Sequence, residues 1–350
     1  MKLTIFGLIL LILIGSCKTS KKTDEQITNS ISNQVDSIAK YTDFNGVILI
    51  AKDSVVKYKK ALGYSDIKNL TKLNVSDQFY IGSISKQITT VLVLREYEKG
   101  NINLSDQIHK YLPEIKQDWA KEVTIHHLLS HTHGIVEIDE PLEFEVGTKF
   151  HYSQIGFGIL AQILEKIKNE SFKNISTDLF TQYQLKNTYH PDNKKYLHLV
   201  NGYEEDETGE LIIAAGNPVK YVAAGGFISN AEDLLKWNNL LYSGKLVKPR
   251  TLKLMETRYE TRIHPIFDKI EYGYGLLFKD GEQQIQIGAF GYVPGFPTAN
   301  YYYPQTDLNL IILENVGANL DDFKMTFKTH TELMNLIKKQ TPNGGFREKL

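Results

Sequence analysis

The stretch Phe79-Tyr80-Ile81-Gly82-Ser83-Ile84-Ser85-Lys86 decides how this chain is read. Apolar residues Ile84, Ile88, Val91, Leu92 and Leu94 follow at helical spacing, and Gly100 stops the run. The segment therefore predicts a helix that opens near Ser83. Residues three apart share a helix face, so the Ser83 hydroxyl and the Lys86 amine point into the same space. A serine hydroxyl is a weak nucleophile until a base takes its proton. Burial disfavours an ammonium, which is how a lysine becomes such a base. The unpaired N–H groups at a helix start also favour negative charge developing there. The same four residues fit an N-capping serine followed by a solvated lysine, so the rest of the chain must decide.

The composition is that of a folded globule, with 350 residues, 42% hydrophobic and 23% charged. This length holds one large domain or two subdomains. The formal net charge is -1 and no long basic run occurs, so nothing points to nucleic acid. The single cysteine, Cys17, excludes a disulfide framework and a cysteine metal site.

Residues 1–17 read MKLTIFGLILLILIGSC. Lys2 gives a positive start, and the apolar run Ile5 to Ile14 is too short to span a bilayer. This segment resembles a bacterial lipoprotein signal peptide with its lipobox. That implies cleavage before Cys17, diacylation of Cys17, and a membrane-anchored place in the cell envelope, facing the periplasm by default. An ordinary secretory signal peptide with an incidental Cys17 is the alternative. Residues 18–27 are polar and suit a tether.

Further on, Ile27, Ile31, Val35 and Ile38 predict an amphipathic helix over Ile27 to Tyr41. Gly46 to Ala51 and Val55 to Leu62 predict a hairpin turning at Lys52-Asp53-Ser54. Leu104 to Leu112, Thr124 to Leu129 and Ile155 to Ile167 read as helical, with no clear strand pattern between residues 84 and 200. Ala223-Ala224-Gly225-Gly226 marks a tight turn, and a helix follows from Ser229. Strand patterns return at Tyr272 to Phe278, Gln283 to Ile287, Thr298 to Tyr303 and Leu308 to Glu314, before a helix over Leu320 to Ile337. Strands from both ends with helices between them predict an α/β (α+β) fold. Its sheet subdomain covers about 28–80 and 223–340, its helical subdomain about 84–220, and the whole domain 28–340.

Several stretches in this order resemble the serine β-lactamase and penicillin-binding-protein-like superfamily. They are Gly46 to Asp53, Ala61 to Tyr64, Phe79 to Gln87, Thr124 to Gly134, Gly147 to Gly156 and Ala224 to Asp233. The similarity spans roughly residues 45 to 335 and is strongest to the branch of class C β-lactamases, D,D-carboxypeptidases and esterases. It implies a β-lactamase/transpeptidase-like fold: an antiparallel sheet flanked by helices, an all-helical subdomain, and an active site between them. It also implies a serine hydrolase of ester, amide or peptide bonds with no cofactor.

By this resemblance Ser83 is the nucleophile, and Lys86 and Tyr152 share its proton. The backbone N–H groups of Ser83 and Tyr292 form the oxyanion hole. A nearby ammonium favours the charged form of a phenol in general, which suits Tyr152 in Tyr152-Ser153-Gln154. Gln154 stands where the family often has asparagine, one methylene shorter, and is expected to face the substrate. The third motif departs furthest. In Ile287-Gly288-Ala289-Phe290-Gly291-Tyr292, Ala289 stands where the family shows lysine or histidine. A cation there binds a substrate carboxylate, so β-lactamase and D,D-carboxypeptidase activities are less expected than cleavage of an uncharged substrate. Ala289, Phe290 and Gly291 are expected to line the substrate site. A catalytically impaired envelope-binding lipoprotein using the same cleft is the alternative, and an incidental cleft in a structural envelope protein is a third.

His126, His127, His131 and His133 crowd into eight residues and invite a zinc reading. Family members show a similar run without metal, so His127 and His131 are expected to pack and hydrogen-bond a loop. No metal is expected. The partners expected are a small or peptide-like acyl substrate and, through Cys17, the membrane.

Overall fold

The computed structural model describes residues 31–214, 220–280 and 285–340. Cys17, the signal segment and the tether lie outside them, as does Ile27 of the first expected helix; residues 31–41 are helical.

An eight-stranded antiparallel sheet organises the molecule. Its order is Val55–Leu62, Gly46–Lys52, Leu308–Glu314, Phe296–Tyr303, Ile285–Val293, Leu277–Asp280, Asp268–Tyr272 and Glu260–His264. The N-terminal hairpin thus pairs with the last long strand, Val47 opposite Leu313. Side chains alternate across a strand, and here both faces are covered. Val47, Leu49, Ile311 and Leu313 join one apolar cluster with the helices Ser85–Glu98 and Ala231–Tyr242. Ile48, Ile50, Leu310 and Ile312 join another with Val35 and Ala39 of the first helix and Leu333, Met334 and Ile337 of the last. Such two-sided burial explains why these strands are apolar at nearly every position. The helices Ile125–Ser130, Ile155–Lys168 and Phe172–Gln182 pack beyond the Ser85–Glu98 helix, and residues 84–200 contain no strand among those described.

Several expected elements divide or move. Tyr272 to Phe278 is two strands, because Gly273 and Gly275 turn the chain between them. Gly275 has φ +67°, and a Cβ on Gly273 would meet the Met255 carbonyl at 2.4 Å. The helix expected over Leu320 to Ile337 breaks at buried Phe327 into Phe323–Thr326 and Lys328–Gln340. Leu104 to Leu112 holds only a 3₁₀ turn, Ile108–Lys110. The strand expected to stop at Ile287 runs on to Val293, and residues 281–284 lie outside those described. Ahead of Tyr272, where no strand was expected, Glu260–His264 forms the strand at the sheet edge.

Candidate active site

Ser83 sits in a 3₁₀ turn, Gly82–Ile84, that runs straight into the Ser85–Glu98 helix. The turn is seated on the Ile285–Val293 strand. Gly82 adopts φ +51°, and a Cβ there would meet the Tyr292 backbone nitrogen at 2.5 Å. A Cβ on Gly291 would lie 2.1 Å from the Ile81 carbonyl oxygen. Only two glycines face to face permit this approach. The Thr298 hydroxyl fastens the two segments, donating toward the Ile81 carbonyl at 3.1 Å and the Gly291 carbonyl at 3.2 Å. The seat brings the peptide groups of Ser83 and Tyr292 onto adjoining segments.

Lys86 is 1% exposed. Its Nζ donates to the Ala224 carbonyl at 2.8 Å and lies 3.4 Å from Ser83 Oγ. Nζ also stands 4.6 Å from the Tyr152 ring centroid and 5.4 Å from that of Phe157. Carbonyl and aromatic faces together offset part of its desolvation. The short helix Val222–Gly225 that supplies Ala224 is pinned in turn: Thr89 Oγ1 donates to the Ala223 carbonyl, and the Phe227 N–H donates to Ser85 Oγ. The Ala-Ala-Gly-Gly turn thus serves as the cradle of the lysine.

Tyr152 is placed by His131. The His131 Nδ1 accepts from the Ser153 N–H at 3.2 Å, so its proton is on Nε2, 3.0 Å from the Tyr272 hydroxyl. The His131 ring packs 4.6 Å from that of Tyr152. Burial, reinforced by the Lys86 charge, holds the His131 pKa well below its ordinary value, so the imidazole is neutral.

The other histidines of the run each have a separate task. His127 completes a capping box with Thr124, His133 Nδ1 accepts from the Ile135 N–H, and His126 Nδ1 lies 2.6 Å from the Tyr274 hydroxyl. Among the described residues no group of three or more His, Cys, Asp or Glu is placed to hold a metal ion.

Ser83, Lys86, Tyr152, Gln154, Ala289, Phe290, Gly291 and Tyr292 all line one cleft of about 240 Å³. Exposed Gln154 precedes the Ile155–Lys168 helix at the rim. Ala289 and Phe290 are 4% and 7% exposed. The two point to opposite faces of their strand, Ala289 toward the larger apolar cluster and Phe290 toward the smaller. The Tyr292 hydroxyl donates to Glu204 Oε1 at 2.5 Å.

Three further polar residues of the cleft escaped the sequence reading: Arg262, His264 and Tyr272. The guanidinium carbon of Arg262 lies 4.9 Å from the Tyr152 ring centroid and 5.6 Å from that of Phe150. Glu260, Arg262 and His264 are half-buried while Thr261 and Ile263 are exposed, an alternation that marks a strand with one covered face. That signal was present in Glu260-Thr-Arg-Ile-His264, masked by its high polarity.

The Beta-lactamase family model matches residues 35–332. The chain belongs to the beta-lactamase family. It is a serine hydrolase of the β-lactamase-like superfamily, in the fold that the sequence implied. Among its relatives is the teichoic acid D-alanine hydrolase of Staphylococcus aureus, 24% identical over 291 residues, covering 77% of this chain and 72% of that one. Among solved structures, a D-amino acid amidase from Ochrobactrum anthropi SV3 superposes with TM-score 0.76 at 17% identity, covering 90% of this chain and 99% of that one. A penicillin binding protein from Bacillus halodurans superposes with TM-score 0.74 at 20% identity, covering 87% and 98%.

Proposed function

We propose that the protein cleaves an ester or amide through an acyl-enzyme on Ser83. The observation that carries this reading is Lys86 Nζ, buried and held by the Ala224 carbonyl, 3.4 Å from Ser83 Oγ. In the first step Lys86 and Tyr152 take the Ser83 proton while Oγ bonds to the substrate carbonyl carbon. The N–H groups of Ser83 and Tyr292 receive the oxyanion, a stabilisation worth about 10²–10³ in rate per donor. The leaving group departs with the proton passed back through Tyr152, and water then deacylates the serine.

A D-alanine hydrolase and a D-amino acid amidase among the similar proteins support ester and amide substrates. Ala289 weighs against β-lactamase and D,D-carboxypeptidase activity, since it leaves the usual place of the carboxylate-binding cation without one. Ala289 and Gln154 are also what favours the second reading, a cleft that binds envelope fragments without turnover.

Intact-protein mass spectrometry after incubation with a fluorophosphonate separates the two. One adduct on the natural protein and none on Ser83→Ala is expected. No adduct on folded natural protein overturns the acyl-enzyme reading in favour of binding.

We also propose anchoring to the bacterial envelope through lipid on Cys17. The support is Lys2, the apolar run to Ile14 and the sole cysteine at the lipobox position. Among the described residues no helix is long and apolar enough to cross a membrane. Loss of the protein from the membrane fraction on Cys17→Ala is the expected result.

A further inference from the structure

We infer that Arg262 is a specificity-determining residue that holds an anionic oxygen group, carboxylate or phosphate, on the leaving-group side of the substrate. The inference rests on the acyl-enzyme reading above and names the substrate class of the same site.

The family cation is absent at Ala289, yet the cleft is not without positive charge facing the substrate space. Lys86 is committed to the Ala224 carbonyl and Ser83. Arg262 reaches the cleft from the edge strand Glu260–His264, three strands away from Ala289 in the sheet order. The Phe150 and Tyr152 rings cover the guanidinium. Its N–H edge donates to no acceptor and pairs with no carboxylate among the described residues. Glu260 lies on the same strand face and forms no ion pair with it. A guanidinium presents five N–H donors in a planar fork matched to carboxylate and phosphate oxygens. Stacking fixes that fork while leaving its edge available.

The position within the cleft selects the side of the substrate. Arg262 lies against the ring of Tyr152, the residue that returns the proton to the leaving group. An anion on the Arg262 fork therefore belongs to the departing fragment and not to the acyl fragment retained on Ser83. Burial lowers the Arg262 pKa from the usual guanidinium value, but a guanidinium remains charged at neutral pH.

The test compares phenyl acetate, meta-carboxyphenyl acetate and phenyl hydrogen succinate. The second carries its carboxylate on the leaving group, the third on the acyl group. The expected result is that the natural protein prefers meta-carboxyphenyl acetate. Arg262→Gln should lower kcat/KM for that ester by about 10- to 100-fold more than for phenyl acetate, chiefly through KM. Arg262→Lys, which keeps the charge and loses the fork, should retain part of the preference and guards against a folding failure of the glutamine variant. An equal loss on all three esters, or a larger loss on the succinate, overturns the assignment. Fluorophosphonate labelling is run alongside. If Ser83 takes no label, the acyl-enzyme reading fails, and calorimetric binding of meta-hydroxybenzoate then tests Arg262 alone. Binding that disappears in Arg262→Gln upholds the anion site, and binding that persists overturns it.

Discussion

On the helical side of the cleft every polar group acting on Ser83 is held by a second group. Lys86 is fixed by the Ala224 carbonyl, that turn by Thr89 and Ser85, and Tyr152 by His131. On the sheet side the backbone is held as closely, with Gly291 seated against Ile81, yet Ala289 brings only a methyl group, which joins the larger apolar cluster. The two walls therefore separate two tasks. On the proposed acyl-enzyme reading, the groups that would activate Ser83 and receive the oxyanion are held in place, whereas Ala289 stands where a carboxylate-selecting side chain would be expected. A cation instead approaches from the sheet edge. On that reading the chemistry would depend on the backbone seat and the lysine cradle, and substrate choice on side chains such as Ala289 and Arg262 that belong to neither.

The largest effect that would break this comparison is expected at Lys86. Lys86→Ala should slow acylation of Ser83 by about 10²–10⁴-fold, the usual worth of positioned proton transfer. It should also leave the Ala224 carbonyl unpaired, at a cost of about 1–3 kcal/mol in stability. Stopped-flow acylation and chemical denaturation measure the two separately. Undiminished acylation would mean that Tyr152 serves as base without the lysine. Next comes the seat on the sheet side. Gly291→Ala places a methyl 2.1 Å from the Ile81 carbonyl and forces the strand off the Ser83 turn. Displacing one oxyanion donor should lower the rate by about 10²–10³-fold. If this variant kept its activity, the Tyr292 N–H would not belong to the oxyanion hole.

A smaller effect is expected at the position that distinguishes the walls. Ala289→Lys restores a cation to a strand whose backbone is intact. Acylation of Ser83 by benzylpenicillin, followed by mass, should rise about tenfold, the worth of one charge-assisted hydrogen bond. Ready acylation of the natural protein would show instead that another cation already serves the carboxylate, and Arg262→Gln would then abolish it.

The helical wall was legible in the sequence because its parts are local. Ser83 and Lys86 lie three residues apart, and the Ser85–Glu98 and Ile155–Lys168 helices announce themselves by apolar spacing. The Gly288-Ala289-Phe290-Gly291-Tyr292 register was also readable, since the glycines and Pro294 fix it. Arg262 was not readable as part of the site. Its strand is short, polar and at the sheet edge, and only the folded sheet, with two strands between it and the Ala289 strand, reveals that it faces Tyr152. The breaks at Gly273 and Phe327 were missed for a related reason. Each is decided by a contact with a distant segment, the Met255 carbonyl in one case and the smaller apolar cluster in the other.

The smallest effect concerns stability, and it tests whether both walls share one acid sensitivity. Burial holds His133, His264 and His330 at about 3 and His127 at about 4. In the unfolded chain these groups take up protons near pH 6.5. Between about 6.5 and 3 the unfolded state therefore binds more protons, and stability falls as the pH drops through that window. Each group contributes a slope of up to about 1.4 kcal/mol per pH unit. Thermal unfolding should show Tm falling by at least about 5 °C from pH 7 to pH 5, with little change from pH 7 to pH 8. His264 stacks on Phe267 and Phe290 on the sheet side, so His264→Phe should preserve the stack and remove one proton from the slope. His133 lies on the helical side, its Nδ1 accepting from the Ile135 N–H, and His133→Asn, which keeps a side-chain acceptor, should remove a comparable share. Equal reductions would mean that the two walls unfold together as one cooperative unit; a slope altered by only one of them would mean that the walls part separately in acid.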